Sequence, residues 1–427
     1  MTEPTAATQR FTARHAMALA GAGLLVAAAM LFFMSGSILL PPLAADLGVG
    51  LGQVMLFVTI TFAVSAVVMS VGGPFFDRFG ARRLVIVGGL FSAAMFLGVS
   101  FVNGLGMLYA FAALAGALFL ASTQMAATMI VNAWFHANRG MAMGVMQALG
   151  GLGGIAAGSL LPVVVQTGGW QLGFRTAAGI VAAIAVVAGL LVRSRPADAG
   201  LHPYGLETMP TDDVEEVVRE DVVEEAHDAG MEPADALRSP RFAALVLGIL
   251  LINLVNAIQQ HFAPLMEGNG LDLTAAGSLI SILAIGNVVA TLLLGTLIDR
   301  WGALQTALLS MALMIGAMLA FWLTTGYGGQ LAGILLFAVP SVLSPVVAPL
   351  IVRQVFGERA FNTLIGIGIA AMPLGVAIGS PLWGVLYDMT GGYTVQLIGS
   401  IVAALLACVL FAFTLSGHQG SAGHARG

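Results

Sequence analysis

The apolar residues of this chain fall in long unbroken runs, not in the alternation of a half-buried strand. Twelve such runs stand at 16–40, 52–73, 83–102, 105–131, 140–163, 171–193, 241–266, 273–298, 303–324, 328–353, 360–386 and 393–416. A bilayer core of about 30 Å is crossed by roughly 20 apolar residues in a helix. Backbone polar groups in lipid must be satisfied within the segment, so each run is predicted to be a spanning helix. The runs are too long and too uniformly apolar for the strands of an outer-membrane barrel. The first follows Arg10 and Arg14 but exceeds a signal-peptide core, and no small-residue cleavage site follows it, so an uncleaved first helix is expected.

Composition agrees. Of 427 residues, 59% are apolar and 9% charged, against about 25% charged in a soluble protein, which excludes a soluble multidomain enzyme. All 16 basic residues are Arg. With twelve spans and a cytoplasmic N-terminus, fifteen of them fall on inner segments and only Arg175 outside, the bias of the positive-inside rule. Both termini are therefore expected in the cytoplasm and the chain in the inner (plasma) membrane. The single cysteine, Cys408, lies in an apolar run and reads as an inert thiol.

The net charge of −5 is unevenly placed. Residues 194–240 hold thirteen of the 21 acids and three of the 16 Arg, a local charge of −10, which leaves the rest of the chain at +5. The expected organisation is a cytoplasmic N-terminus (1–15), six spans (16–193), an acidic linker (194–240), six spans (241–416) and a cytoplasmic tail (417–427). Within the linker, Val214, Val218 and Val222 with the Glu215–Arg219 pair suggest a short amphipathic helix. It reads either as a solvated linker or as an acidic helix resting on the basic inner ends of the bundle.

The halves echo each other. Gly73-Pro74-Phe75-Phe76-Asp77-Arg78-Phe79-Gly80-Ala81 follows span 2, and Gly295-Thr296-Leu297-Ile298-Asp299-Arg300-Trp301-Gly302-Ala303 follows span 8. Both read Gly-x-x-x-Asp-Arg-aromatic-Gly-Ala, a six-helix repeat, and six-helix repeats with a solute path between them are a transporter plan. With Arg82 and Arg83 after the first copy, the motif resembles the signature of the major facilitator superfamily. The stretch Trp134-Phe135-His136-Ala137-Asn138-Arg139-Gly140-Met141-Ala142-Met143-Gly144 resembles the entry to helix 5 in the monocarboxylate-porter and oxalate/formate-antiporter branch. Ala236-Leu237-Arg238-Ser239-Pro240-Arg241-Phe242 resembles its lead into helix 7, and Tyr387-Asp388-Met389-Thr390-Gly391-Gly392-Tyr393 its turn after helix 11. The resemblance implies an all-α membrane protein of twelve helices in two pseudo-symmetric six-helix bundles, the major facilitator fold.

The repeated motif reads as a cytoplasmic gate. Gly73 and Gly295 admit a close neighbouring helix. Asp77 and Asp299 stand where they can pair with Arg or with a helix N-terminus of the other half. Such contacts bias a two-state equilibrium, at about 0–1 kcal/mol for an exposed pair. Arg78, Arg82 and Arg300 belong to the same gate or serve as topology anchors. Asp77→Asn is expected to impair transport while leaving membrane insertion intact, measured as uptake per folded molecule.

Polar groups at membrane depth are the candidates for solute contact. Asn253, Asn256 and Gln260 fall within about a 60° arc of an ideal helix 7. Asn287 and Thr291 lie four apart in helix 8, Gln124 and Thr128 in helix 4, and Gln147 in helix 5. Pro340, Ser341, Ser344, Pro345 and Pro349 in helix 10 should free backbone carbonyls toward a cavity. His261 is a titratable group well inside a span and a proton-coupling or anion-sensing candidate. In the resembled superfamily helices 1, 4, 7 and 10 line the path, which favours the helix 7 face. All these amides also fit simple helix–helix glue.

The resembled branch carries an Asp and an Arg four apart on helix 8; Asn287 and Thr291 stand there instead. Gly36 replaces the Lys expected near the end of helix 1, and helix 11 lacks the Lys of oxalate exchangers. No cation remains deep in the bundle unless Arg175 or Arg353 reaches inward. A buried carboxylate wants a cation or several donors. Met125, Met129, Met146 and Met372 offer an adaptable apolar lining or plain packing.

The favoured expectation is secondary active transport of a small organic anion such as a monocarboxylate, by alternating access with proton coupling or exchange. The rivals are an exporter of amphipathic or neutral compounds on the same fold, and a transport-inactive sensor or membrane enzyme. No Walker motif, zinc spacing or catalytic triad is present, so neither enzyme activity nor a cofactor or metal is expected. The expected partners are a small-molecule substrate, coupling protons and the lipid bilayer, with no nucleic acid; a monomer is expected.

Overall fold

The computed structural model describes residues 11–136, 138–196, 201, 203–205, 231–357 and 359–415, without the side chains of 69–79 and 362. The side chains of Gly73, Asp77 and Arg78, the predicted amphipathic helix of the linker and the C-terminal tail lie outside the described residues.

Among the described residues, ten continuous helices are long and apolar enough to cross a membrane. Two are too long for one crossing. Arg139–Leu191 has 53 residues, about 80 Å at 1.5 Å per residue. Its interior breaks at Gly168 (φ −143°, ψ 19°) and Gly169 (φ 72°, ψ 178°). Leu273–Leu323 has 51 residues and breaks at Gly302 (φ 84°, ψ 166°). Each is two legs, so twelve helical legs correspond to the twelve predicted runs. They are α1 (Ala13–Leu47), α2 (Leu51–Phe79), α3 (Ala81–Val99), α4 (Leu105–Trp134), α5 (139–167), α6 (170–191), α7 (Pro240–Gly268), α8 (273–301), α9 (303–323), α10 (Gly326–Phe356), α11 (Phe361–Thr390) and α12 (Thr394–Leu415). The short helix Pro233–Arg238 precedes α7.

Close contacts prove the reversals. A Cβ on Gly23 would touch Leu149 of α5, while one on Gly21 would touch Val192 beyond the end of α6. The chain has therefore turned back between them. Likewise Asn269, after α7, donates to the Phe321 carbonyl at the end of α9 at 2.9 Å, and its own carbonyl accepts Gly326 N–H at 3.1 Å. We call the face where α1 begins basal and the face where it ends distal.

The repeated motif has a backbone counterpart. Gly80 (φ 73°, ψ 147°) and Gly302 (φ 84°, ψ 166°) occupy the same place in the two copies. Positive φ at both corners, where an L side chain is strained, accounts for glycine in each. Helix α1 runs past its predicted end at 40 through Pro41 and Pro42, and stops at Gly48 (φ 64°). Two adjacent prolines near the end of a helix leave two carbonyls without donors but do not force a stop.

Local irregularities were not foreseen. Leu84–Gly88 in α3 and Ala121–Met125 in α4 are π-helical turns. They pack on each other, since a Cβ on Gly88 would lie 2.6 Å from that of Ser122. In α7, Ala257–His261 tightens to a 3-10 helix. Pro264 has no N–H to give the Gln260 carbonyl, which helps release the α-helical pattern there.

Candidate functional site

The first six legs meet the last six along two long seams, α5–α8 and α2–α11, and α1 also touches α7. At the α5–α8 seam glycine replaces side chain at each crossing. A Cβ on Gly151 would lie 2.8 Å from Val288, one on Gly154 2.6 Å from Ala284, and one on Gly158 2.3 Å from the Gly277 carbonyl. At the α2–α11 seam Gly52 and Gly384 face each other, and Thr59 donates to the Ala377 carbonyl. Pro381, four residues on, has no N–H for that carbonyl, so the acceptor is free to cross helices.

Basal to the glycine crossings α5 and α8 diverge. The cleft between them encloses about 650 Å3 of empty space, its open mouth included. Met30 and Met34 of α1, Gln147 of α5, Asn287 and Thr291 of α8 and Val342 of α10 line it. Asn287 Oδ1 accepts from Ser341 Oγ at 2.8 Å, and Thr291 Oγ1 donates to the Asn287 carbonyl at 2.8 Å. The α10 helix breaks at Val342 (φ −106°, ψ 10°), between Pro340 and Pro345. Pro345 leaves the Ser341 carbonyl without its helical donor, and Asn256 Nδ2 donates to it at 3.2 Å. Asn253 Nδ2 donates to Ile249 O at 2.8 Å and to Ser344 Oγ at 3.1 Å. Asn253 and Asn256 of α7, the broken α10 and Asn287 thus form one polar ladder that ends at the cleft.

The predicted common face of α7 is corrected here. Asn253 and Asn256 turn to α10, but Gln260 donates through Nε2 to the Phe33 carbonyl of α1 at 3.0 Å. A 3-10 stretch advances about 120° per residue instead of 100°, which turns Gln260 about 80° further round. A backbone carbonyl only accepts, so the NH2 ends of Asn256 and Gln260 are fixed and their oxygens point elsewhere. Both oxygens are buried without a partner among the described residues. Gln260 also walls a smaller distal chamber with Phe32, Gly36, Phe57, Phe96 and Phe174.

His261 is fully buried, with Nε2 2.9 Å from the Ser380 carbonyl and Nδ1 3.3 Å from the Tyr393 hydroxyl. The carbonyl requires hydrogen on Nε2, which leaves Nδ1 to accept from the phenol. The phenol is protonated near neutral pH and can donate. The ring ties α7 to α11. His261→Phe removes both bonds and leaves the buried Tyr393 hydroxyl without its acceptor, so a loss of about 1–3 kcal/mol is expected, read as a lowered thermal midpoint in detergent.

The remaining candidates scatter. Gln124 sits half-buried in the π-turn of α4. Arg82 is held by its own half, with Nε donating to Gly189 O at 2.9 Å and its N–H to Ser194 Oγ at 3.1 Å. Asp299 and Arg300 are exposed at the basal end of α8. Of the methionines named from sequence none lines the cleft, whereas Met30 and Met34 do. Neither arginine considered as an inward cation lines it either. Arg175 lies over the Phe101 ring at 5.1 Å, and Arg353 over Phe361 at 4.9 Å. The cleft lining is free of charged side chains.

Twelve apolar legs, a motif repeated at the same corner of each half and a cleft at the crossing of α5 and α8 define a helical membrane carrier. Residues 21–351 match the model of the Major Facilitator Superfamily, and the chain belongs to that family. It is 24% identical over 343 residues to monocarboxylate transporter 13 of Bos taurus, covering 80% of this chain and 75% of that one. It is 25% identical over 390 residues to a glucose-6-phosphate exchanger of Xenopus laevis, covering 82% and 78%. The crystal structure of the nucleoside transporter NupG superposes with a TM-score of 0.70 over 95% of this chain and 99% of that one, at 12% identity. The protein is a multi-pass membrane transporter, not an enzyme.

Proposed function

We propose that the chain is a secondary transporter that moves a small, uncharged, hydrogen-bonding organic solute by alternating access. Its six-helix halves, 16–193 and 241–416, would rock about the cleft, with the basal face on the cytoplasmic side of the plasma membrane. The observation that carries this reading is the cleft lining of thioethers, amides and a hydroxyl without a charged side chain. Methionine adapts to irregular apolar shapes. Asn287 and Gln147 supply both donors and acceptors, and an ion here would lack a counter-charge. Amphipathic compounds suit the same lining.

A second reading, a monocarboxylate moved with protons or by exchange, is favoured by the resemblance at Trp134–Gly144 and by the similarity to a monocarboxylate transporter. Its donors would be the amides of Asn287 and Gln147, and His261 its proton site. For His261 to exchange a proton, the bonds to Ser380 and Tyr393 would have to open. The purified chain in proteoliposomes, offered monocarboxylates, dicarboxylates, neutral metabolites and dyes with and without a pH gradient, separates the readings. Neutral-solute or dye flux without carboxylate flux supports the first. Carboxylate flux accelerated by an inward proton gradient overturns it in favour of the second, and no flux of any kind overturns both.

A further inference from the structure

The turn Tyr387-Asp388-Met389-Thr390-Gly391 closes the distal end of α11, and the solute path makes no use of it. Asp388 reaches across to the first six legs. Its Oδ1 accepts Leu51 N–H at 2.8 Å and its Oδ2 accepts Gly52 N–H at 2.9 Å. These belong to the first turn of α2, whose N–H groups have no acceptor within the helix. The approach depends on missing side chains. A Cβ on Gly50 would lie 2.5 Å from Asp388 Oδ2, one on Gly52 2.6 Å from Val385 N, and one on Gly384 2.6 Å from Gly52 Cα.

The placement makes little sense within α11 alone. An anion in the last turn of a helix opposes that helix's dipole. Asp388 lies in the last turn of α11, which ends at Thr390. It gains only by facing the positive end of another helix, and charge-assisted bonds to two N–H groups supply that gain. These bonds exist in a structure whose distal seams are closed and whose cleft lies basally.

We propose that Asp388 is a positioning residue of the transport cycle, a carboxylate clasp that caps α2 from α11 while the distal face is closed and lets go as that face opens. The proposal rests on the alternating-access reading. It assigns to the distal end of the α2–α11 pair what the sequence motif suggests for Asp77 at the basal end.

The test reads conformation and needs no substrate, so failure of the clasp and failure of the transport reading are separate outcomes. In a Cys408→Ser background, single cysteines replace Leu40, buried in the distal chamber wall, or Gln147, exposed in the basal cleft. Each is alkylated with a maleimide in reconstituted protein. Asp388→Ala should raise the rate at Leu40→Cys by about 2- to 30-fold, the range of a lost helix cap, and lower it at Gln147→Cys. Asp388→Asn, isosteric and still able to accept one bond, should shift both rates the same way by less. It is also the variant to read if the alanine form is not recovered from the membrane. Unchanged rates, or rates that rise together at both positions as in a loosened fold, overturn the proposal.

Discussion

Gly158→Ala is expected to lower reconstituted flux by about 5- to 100-fold while the protein still inserts and can be purified. The methyl group would stand 2.3 Å from the Gly277 carbonyl, 2.5 Å from Ser281 Oγ and 2.7 Å from Ser281 N. Two of these three atoms are backbone and cannot swing away. The contact is mutual, for a Cβ on Gly277 would lie 2.2 Å from the Gly158 carbonyl. That carbonyl lacks its helical donor, because Pro162 stands four residues on, and so it turns to the Cα–H of the opposing helix. Ser281 Oγ adds a bond to the Ile155 carbonyl at 3.1 Å across the same crossing. Overpacking of this kind costs about 1–3 kcal/mol, and here the strain falls on one arrangement of the α5–α8 seam. Parting the distal ends of α5 and α8 relieves it, so the population moves away from the distal-closed state. Gly277→Ala should reproduce the effect. Flux at the level of the unmodified protein in both variants would show that the close approach is not needed for turnover.

The seams show what was legible in the sequence and what was not. Twelve apolar runs gave twelve legs because lipid leaves the chain no alternative to helix. The repeat of Asp-Arg-aromatic-Gly located two corners, and Gly80 and Gly302 carry positive φ there. The proline density of helix 10 foretold freed carbonyls, and Ser341 O is one. The α7 face was read with 100° per residue throughout, and the 3-10 turn at 257–261 put Gln260 on α1. No periodicity announces such a turn, although Pro264 marks where one is tolerated. The π-turns in α3 and α4 leave no mark in the sequence beyond small residues. Asp388 was visible only as part of a resembled motif. Its partners are backbone N–H groups 336 and 337 positions away, and backbone groups have no letter in a sequence. The cleft itself escaped prediction in part, because its methionines, Met30 and Met34, come from α1, and no sequence period tells which helix backs the gap between α5 and α8.

Asn287 is the position where a single substitution should speak to solute class. Its Oδ1 is engaged by Ser341, and among the described residues its Nδ2 has no partner, so it offers a donor to the cleft. Asn287→Leu keeps the volume, removes that donor and leaves Ser341 at the α10 break without its side-chain acceptor. A solute bound through the amide should lose about 1–3 kcal/mol of interaction, a fall of about 5- to 150-fold in flux at low concentration, with the thermal midpoint little changed because the position is half-buried. Asn287→Asp is the sharper comparison. It restores an acid where the resembled branch carries one but without the arginine four residues on, since Thr291 stays in place. An uncharged solute with N–H or O–H groups can still donate to that carboxylate, so its flux should fall only a few-fold. A carboxylate solute would face an uncompensated like charge in a desolvated cleft, and its flux should vanish above the pH at which the new acid ionises. Carboxylate flux that survives Asn287→Asp at neutral pH would place the solute elsewhere, and the chamber walled by Gln260 would then be the next place to look.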